Sequence, residues 1–215
     1  MDPLLALGIP VLACGGVAYF LRFQRERVSE RLRRVALRRK GRVVQGPWYL
    51  YPRLVVEVEG TEIQISGMHG SDGSGTCTFA WVGCADYPEI DLVVERMADR
   101  AGFLERLGWK PTDTGDASFD AAFHMKTADA EGARTILDEG VRRALLALDT
   151  RLRARVRVGT APTYRDGRRR FGEEEPRLDV SIHALPPTVE DVERLLDVAA
   201  LVHARLLWTA ARASA

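Results

Sequence analysis

The chain has 215 residues, 31 Lys/Arg against 30 Asp/Glu, and a formal net charge of +1. The near-zero total hides a split: residues 22–42 hold ten basic and two acidic groups, whereas residues 43–215 hold 21 basic and 27 acidic. An acidic domain behind a basic collar excludes nucleic acid as the domain's partner, since phosphate binding needs a basic face. Three cysteines, Cys14, Cys77 and Cys84, make neither a disulfide framework nor a zinc knuckle.

Pro3 to Leu21 is uncharged. As a helix it would extend about 28 Å, close to a bilayer core of about 30 Å. Its positive flank follows the apolar run, which is inverted for a secretory signal. Val11-Leu12-Ala13-Cys14 resembles a lipoprotein cleavage box, but no basic n-region precedes it and the apolar run continues through Leu21. The pattern therefore predicts a transmembrane anchor over 1–21, with the amino terminus outside the inner membrane and the remainder cytoplasmic.

Residues 22–45 read as a basic juxtamembrane helix, with Val28, Leu32 and Val35 forming a narrow apolar stripe. The expected anionic-lipid contacts are Arg22, Arg25, Arg27, Arg31, Arg33, Arg34, Arg38, Arg39, Lys40 and Arg42. Each cation near a charged bilayer is worth about 1 kcal/mol. The alternative is a stop-transfer and topology signal.

Residues 46–211 read as one α+β domain. Gly46-Pro47 ends the helical pattern. Leu54, Val56 and Val58 alternate, Glu59-Gly60 marks a turn, and Ile63 and Ile65 return. Residues 67–75 are a glycine-rich loop, 76–82 a third strand and 90–94 a fourth; 97–107 read as a short helix. Phe119 to Met125 reads as a strand with Phe119 and Phe123 facing inward, and Asp129 caps the helical stretch that follows, with Gly140 a break within it. Arg151 to Val158 alternates strictly: Leu152, Ala154, Val156 and Val158 on one face, four arginines on the other. Asp166-Gly167 marks a hairpin, Leu178, Val180 and Ile182 a last strand, and Thr188 with Asp191 a capping box for a final helix. Strands joined by hairpins and closed by C-terminal helices predict an antiparallel α+β fold.

The segment Phe119-Asp120-Ala121-Ala122-Phe123, its polar turn ending at Asp129, and the Ala133-Arg134-Thr135-Ile136-Leu137 helix resemble a pattern in uncharacterised bacterial membrane-tethered proteins. The resemblance implies an apolar anchor followed by a β-rich domain. It carries no catalytic residues.

Candidate chemistry is sparse. The loop 67–75 has no Gly-Lys-Ser/Thr and leads into a strand, unlike a P-loop. Asp113-Thr114-Gly115 matches the aspartic-protease tripeptide but has no second copy and no apolar feeder strand, so it reads as a turn. His69, His124, His183 and His203 lack ligand spacing. The arginines of 151–157 are expected to pair across strands with Glu57, Glu59 or Glu173–Glu175. The alternative is that they receive an acidic partner or an anionic membrane. The resulting expectation is a non-catalytic interaction or scaffold module with an unidentified protein partner, a bilayer contact through residues 3–21 and no cofactor. A membrane-tethered hydrolase and an anionic-lipid-binding module are the alternatives.

Overall fold

The computed structural model describes the backbone of residues 3–47, 50–69, 76–83, 90–96, 112–148, 153–165, 168–183 and 187–213, with side chains for all of these except 3–18, 20–21, 68–69, 76, 161–165, 168–174 and 213. The elements run α1 (Pro3–Arg39), β1 (Arg42–Val44), β2 (Arg53–Val58), β3 (Thr61–His69), β4 (Thr76–Gly83), β5 (Leu92–Arg96), α2 (Ala117–Asp120), β6 (Phe123–Thr127), α3 (Ala130–Ile136), α4 (Glu139–Leu146), β7 (Ala154–Arg165), β8 (Arg168–Ile182) and α5 (Val189–Ala213).

The eight strands form one sheet in the order β1-β2-β3-β4-β8-β7-β5-β6. Every pairing is antiparallel. Alternation in the sequence becomes alternation of burial. Leu54, Val56, Ile63, Ile65, Ala80, Val82, Leu178, Val180, Ile182, Ala154, Val156, Val158, Leu92 and Val94 are all buried and share one core with the helices. The expected final helix closes that core with Val192, Leu195, Leu196, Ala199, Val202 and Leu206, all buried.

Local expectations explain how the chain turns. Val58 pairs with Thr61, and both Glu59 (φ 51°) and Gly60 (φ 81°) have positive φ, as a two-residue type I′ hairpin requires. The Thr188 amide donates to Asp191 Oδ2 at 2.9 Å while the Asp191 amide donates to Thr188 Oγ1 at 3.0 Å, a reciprocal cap on α5. Asp129 caps α3 by accepting from the Gly132 amide. The break in this region falls at Leu137-Asp138, before Gly140, because Asp138 accepts from the Val141 amide and starts α4 anew.

The amino-terminal expectation is corrected. Among the described residues no helix is long and apolar enough to cross a membrane. The transmembrane anchor over 1–21 and the single-pass inner-membrane placement fall with that finding. The uncharged run is the first half of one unbroken 37-residue helix, and its second half belongs to the domain. Val28, Leu32, Val35 and Ala36 are buried members of the main core, packed among β1, β2 and α5. The stripe expected to rest on lipid is a wall of the core.

The helical pattern carried to residue 45 stops at Arg39. Lys40 takes a left-handed φ of 53°, and the Gly41 amide donates to Ala36 O at 2.8 Å, closing a Schellman-type end. The chain then reverses into β1, an edge strand that the sequence reading missed. Gly41 permits the reversal: a Cβ there would lie 2.7 Å from Val55 O and 2.8 Å from Val56 Cγ2.

Two further expectations shift. Phe119 lies in α2 rather than on a strand, yet it stacks on Phe123 of β6 with ring centroids 4.8 Å apart, and both are buried. The Arg96 guanidinium covers the other side of Phe123 at 4.8 Å and donates to Leu145 O and Leu148 O at the end of α4. The expected helix over 97–107 and the Asp166-Gly167 turn lie outside the described residues. The register Arg165↔Arg168 leaves two residues to join β7 to β8.

Two outcomes follow for stability. Leu32→Ala should destabilise the full chain by about 2–5 kcal/mol in denaturant unfolding, because Leu32 is fully buried; no measurable loss would mean that α1 does not pack on the domain. Gly41→Ala should cost about 1–3 kcal/mol, because the added methyl meets backbone and a buried valine; an unchanged melting temperature would refute the close approach.

Candidate functional site

Among the described residues the helices pack on one face of the sheet, and the other face, free of any described helix, is left to the alternate residues of every strand. The registers place one row across all eight strands: Arg42, Val55, Gln64, Trp81, Asp179, Arg157, Val93 and Lys126. A second row runs Val44, Arg53, Ser66, Phe79, Ser181, Arg155, Glu95 and His124. The two rows together carry five basic and two acidic side chains, the opposite sign to residues 43–215 as a whole.

At their centre Phe79 and Trp81, two residues apart on β4, stack with centroids 4.9 Å apart and planes 25° from parallel. Beside them on β8, Arg177 Nε lies 2.9 Å from the Asp179 carboxylate. Both side chains are mostly covered, 13% and 19% exposed respectively. Burial raises the Asp179 carboxyl above the usual carboxylate range, opposed by the positive charges of Arg177, Arg157 and Arg155. The folded protein thus holds the Asp179 proton more tightly than the unfolded chain does. Its contribution to stability is full below about pH 3.8 and declines as pH rises through the folded value. The Asp179–Arg177 pair and the Phe79–Trp81 stack therefore lie side by side at the centre of the face.

The residues expected to touch anionic lipid lie along α1 and its junction with β1. Arg25 donates to Leu50 O at 3.0 Å and Gly46 O at 2.9 Å, and Arg31 to Pro187 O at 2.6 Å. Arg38 pairs with Glu193 at 3.2 Å, Arg39 with Asp197 at 2.9 Å, and Arg42 with Glu62 at 3.6 Å. These five strap α1 and β1 to α5, β3 and the loop before β2. Arg22 and Arg34 pair within the helix, with Glu26 and Glu30. Arg27 lies 5.0 Å over the Phe23 ring, and Arg33 and Lys40 are exposed. An open groove of 440 Å³ sits where the collar meets the sheet edge, lined by Lys40, Gly41, Arg42, Val55, Glu57, Gly60 and Glu62.

The remaining motifs take structural places. Asp120 accepts from the Thr114 amide and hydroxyl and from the Gly115 amide, which makes the Asp113-Thr114-Gly115 tripeptide a carboxylate-held turn. Arg134 further ties it down by donating to Asp113 O. His124 is half-buried on the open face and His183 half-buried beyond β8, whereas His203 is buried in α5, where desolvation lowers its pKa. The His69 side chain lies outside the described residues. Cys77 is half-buried and is not in a disulfide, and the Cys14 and Cys84 side chains are outside the described residues. Among the described residues no group of three or more His, Cys, Asp or Glu could hold a metal ion.

No family model matches the sequence, and no curated protein matches it significantly. In fold the chain is similar to the crystal structure of the mycobacterial trehalose monomycolate transport factor A, with a TM-score of 0.51 and 9% identity, over 83% of this chain and 94% of that one. At that identity the likeness shows a shared fold alone.

The paired aromatics and Asp179 were missed by sequence reasoning. The signal was present, since the alternation that buries Ala80, Val82 and Val180 sends Phe79, Trp81 and Asp179 to the other face. What brings them together is the β4–β8 pairing across about a hundred residues. An NMR titration of the Asp179 carboxyl in the full chain should give a midpoint above the usual aspartate value, and Arg177→Gln should raise it further. A midpoint at or below the ordinary value would remove the case for a desolvated carboxylate at the centre of the face.

Proposed function

We propose that this chain is a non-catalytic interaction module, an accessory factor that binds a protein partner through the helix-free face of its sheet. The observation that carries this reading is the stacked Phe79–Trp81 pair at the middle of that face, with Asp179, Arg177, Arg157 and Ser181 around it. A central aromatic anchor with arginines beside it and polar groups outside is the composition of energetic centres in protein interfaces. The use of Asp113-Thr114-Gly115 as a turn clamped by Asp120 favours a binding module over a hydrolase. The fold shared with a transport factor supports an accessory role in a transport assembly.

The test is comparative affinity purification of the full-length chain from its native host, read by quantitative mass spectrometry. Trp81→Ala and, independently, Ser181→Lys should each deplete the same associated proteins while far-ultraviolet circular dichroism stays unchanged. Leu37→Ser, at a position 84% exposed on α1, should leave them in place. Partners lost only with Leu37→Ser would assign binding to the helical layer and overturn the reading.

A further inference from the structure

The arginines of β7 were expected to be neutralised by Glu57, Glu59 or Glu173–Glu175. The topology prevents the first two, because β2 and β7 are separated by β3, β4 and β8. Arg155 instead faces Ser181 on β8 and Glu95 on β5, and Arg157 faces Asp179 and Val93. Arg157 donates to Thr160 O at 3.0 Å, and its charge is met by Asp179, which Arg177 also engages. Arg153 and Arg155 are exposed, and neither makes an ion pair or side-chain hydrogen bond among the described residues. The result is a line of guanidiniums at alternate positions of β7 and the residue before it, about 6.8 Å apart, of which Arg153 and Arg155 are exposed.

We infer that the Arg153–Arg155–Arg157 line binds an extended acidic segment of a protein partner, with Asp or Glu at alternate positions. This rests on the reading of the helix-free face as a binding surface and names the chemistry that it takes. The spacing carries the argument. An extended chain lying along β7 repeats its side chains on one side every two residues, at the same interval as the arginines. Each carboxylate then meets one guanidinium, an arrangement Arg supports with two parallel hydrogen bonds. A membrane would present headgroups without that register. Asp179 and Glu95, interleaved with the arginines on the neighbouring strands, would repel a uniformly negative surface and not a segment whose charges fall only on the arginine line. Phe79 and Trp81 lie two strands away, where an apolar part of the same partner would be received.

The experiment is calorimetric titration of the full chain with three probes at low and at physiological salt. These are a ten-residue peptide alternating Glu with Thr, a peptide of the same composition with all Glu in one block, and vesicles of equal parts phosphatidylglycerol and phosphatidylcholine. The alternating peptide should bind more tightly than the block peptide and weaken with salt. The Arg153→Gln/Arg155→Gln double variant, which changes only exposed side chains, should lose about tenfold or more in affinity. Arg53→Gln, on the same face but away from the line, should change affinity by less than about twofold. Equal binding of the two peptides, vesicle binding that the double variant abolishes, or no binding to the alternating peptide would each overturn the inference. Partner capture that needs Trp81 but tolerates the double variant would overturn this inference alone. Loss of capture in neither variant would overturn the reading of the face itself.

Discussion

Among the described residues, helices cover one face of an eight-stranded antiparallel sheet and leave the other without a helical layer, and much of the described structure follows from that asymmetry. Burial on one side forces the period-two pattern through β2, β3, β4, β7 and β8, because a one-residue slip would turn each apolar set outward. It also means that the covering layer must be wide enough for the sheet. α5 covers β3, β4 and β8, and α1 covers β1 and β2. Without Val28, Leu32, Val35 and Ala36, the apolar side of β1 and β2 would have no cover. The basic segment is thus part of the domain for the ordinary hydrophobic reason, and its arginines are arranged outward to hold α5 and the flanking loops.

Polar groups inside the helical layer serve the same packing. Arg96 is the clearest case: a buried cation that stacks on Phe123 and satisfies two carbonyls at the end of α4. The last carbonyls of a helix have no partner within it, so a guanidinium with several donors is a suitable cap. Asp120, Asp129 and Asp138 do the complementary work at amide-rich turns. These three carboxylates are therefore occupied by neighbouring backbone amides.

The helix-free face differs in kind. Its groups are arranged across strands rather than against helix ends. It gathers Asp179, Arg177, Arg157 and the Phe79–Trp81 pair into a half-covered cluster with a net positive surround, inside a chain whose sheet-and-helix portion is acidic. Surface ion pairs alone contribute little to stability, and a carboxylate whose burial raises its pKa subtracts from it at neutral pH. These groups therefore add little reinforcement to the sheet.

Sequence alone determined the features that depend on near neighbours. The Glu59-Gly60 turn, the Thr188–Asp191 box, the Asp129 cap, the faces of β7 and β8 and the buried side of α5 all rest on contacts within a few residues, where spacing specifies geometry. The antiparallel α+β class was legible for the same reason, since hairpins join consecutive strands. The sequence could not show what covers an apolar stripe. Val28, Leu32 and Val35 have the same spacing whether they meet lipid, solvent or β2, and only the fold supplied β2 and α5. Nor could it show strand order: β8 enters between β4 and β7, and β7 pairs with β5, so the arginines face Asp179 and Glu95 across the strands rather than Glu57 and Glu59. Partners in a sheet are set by which edges remain to be paired once the hairpins have formed, a property of the whole chain.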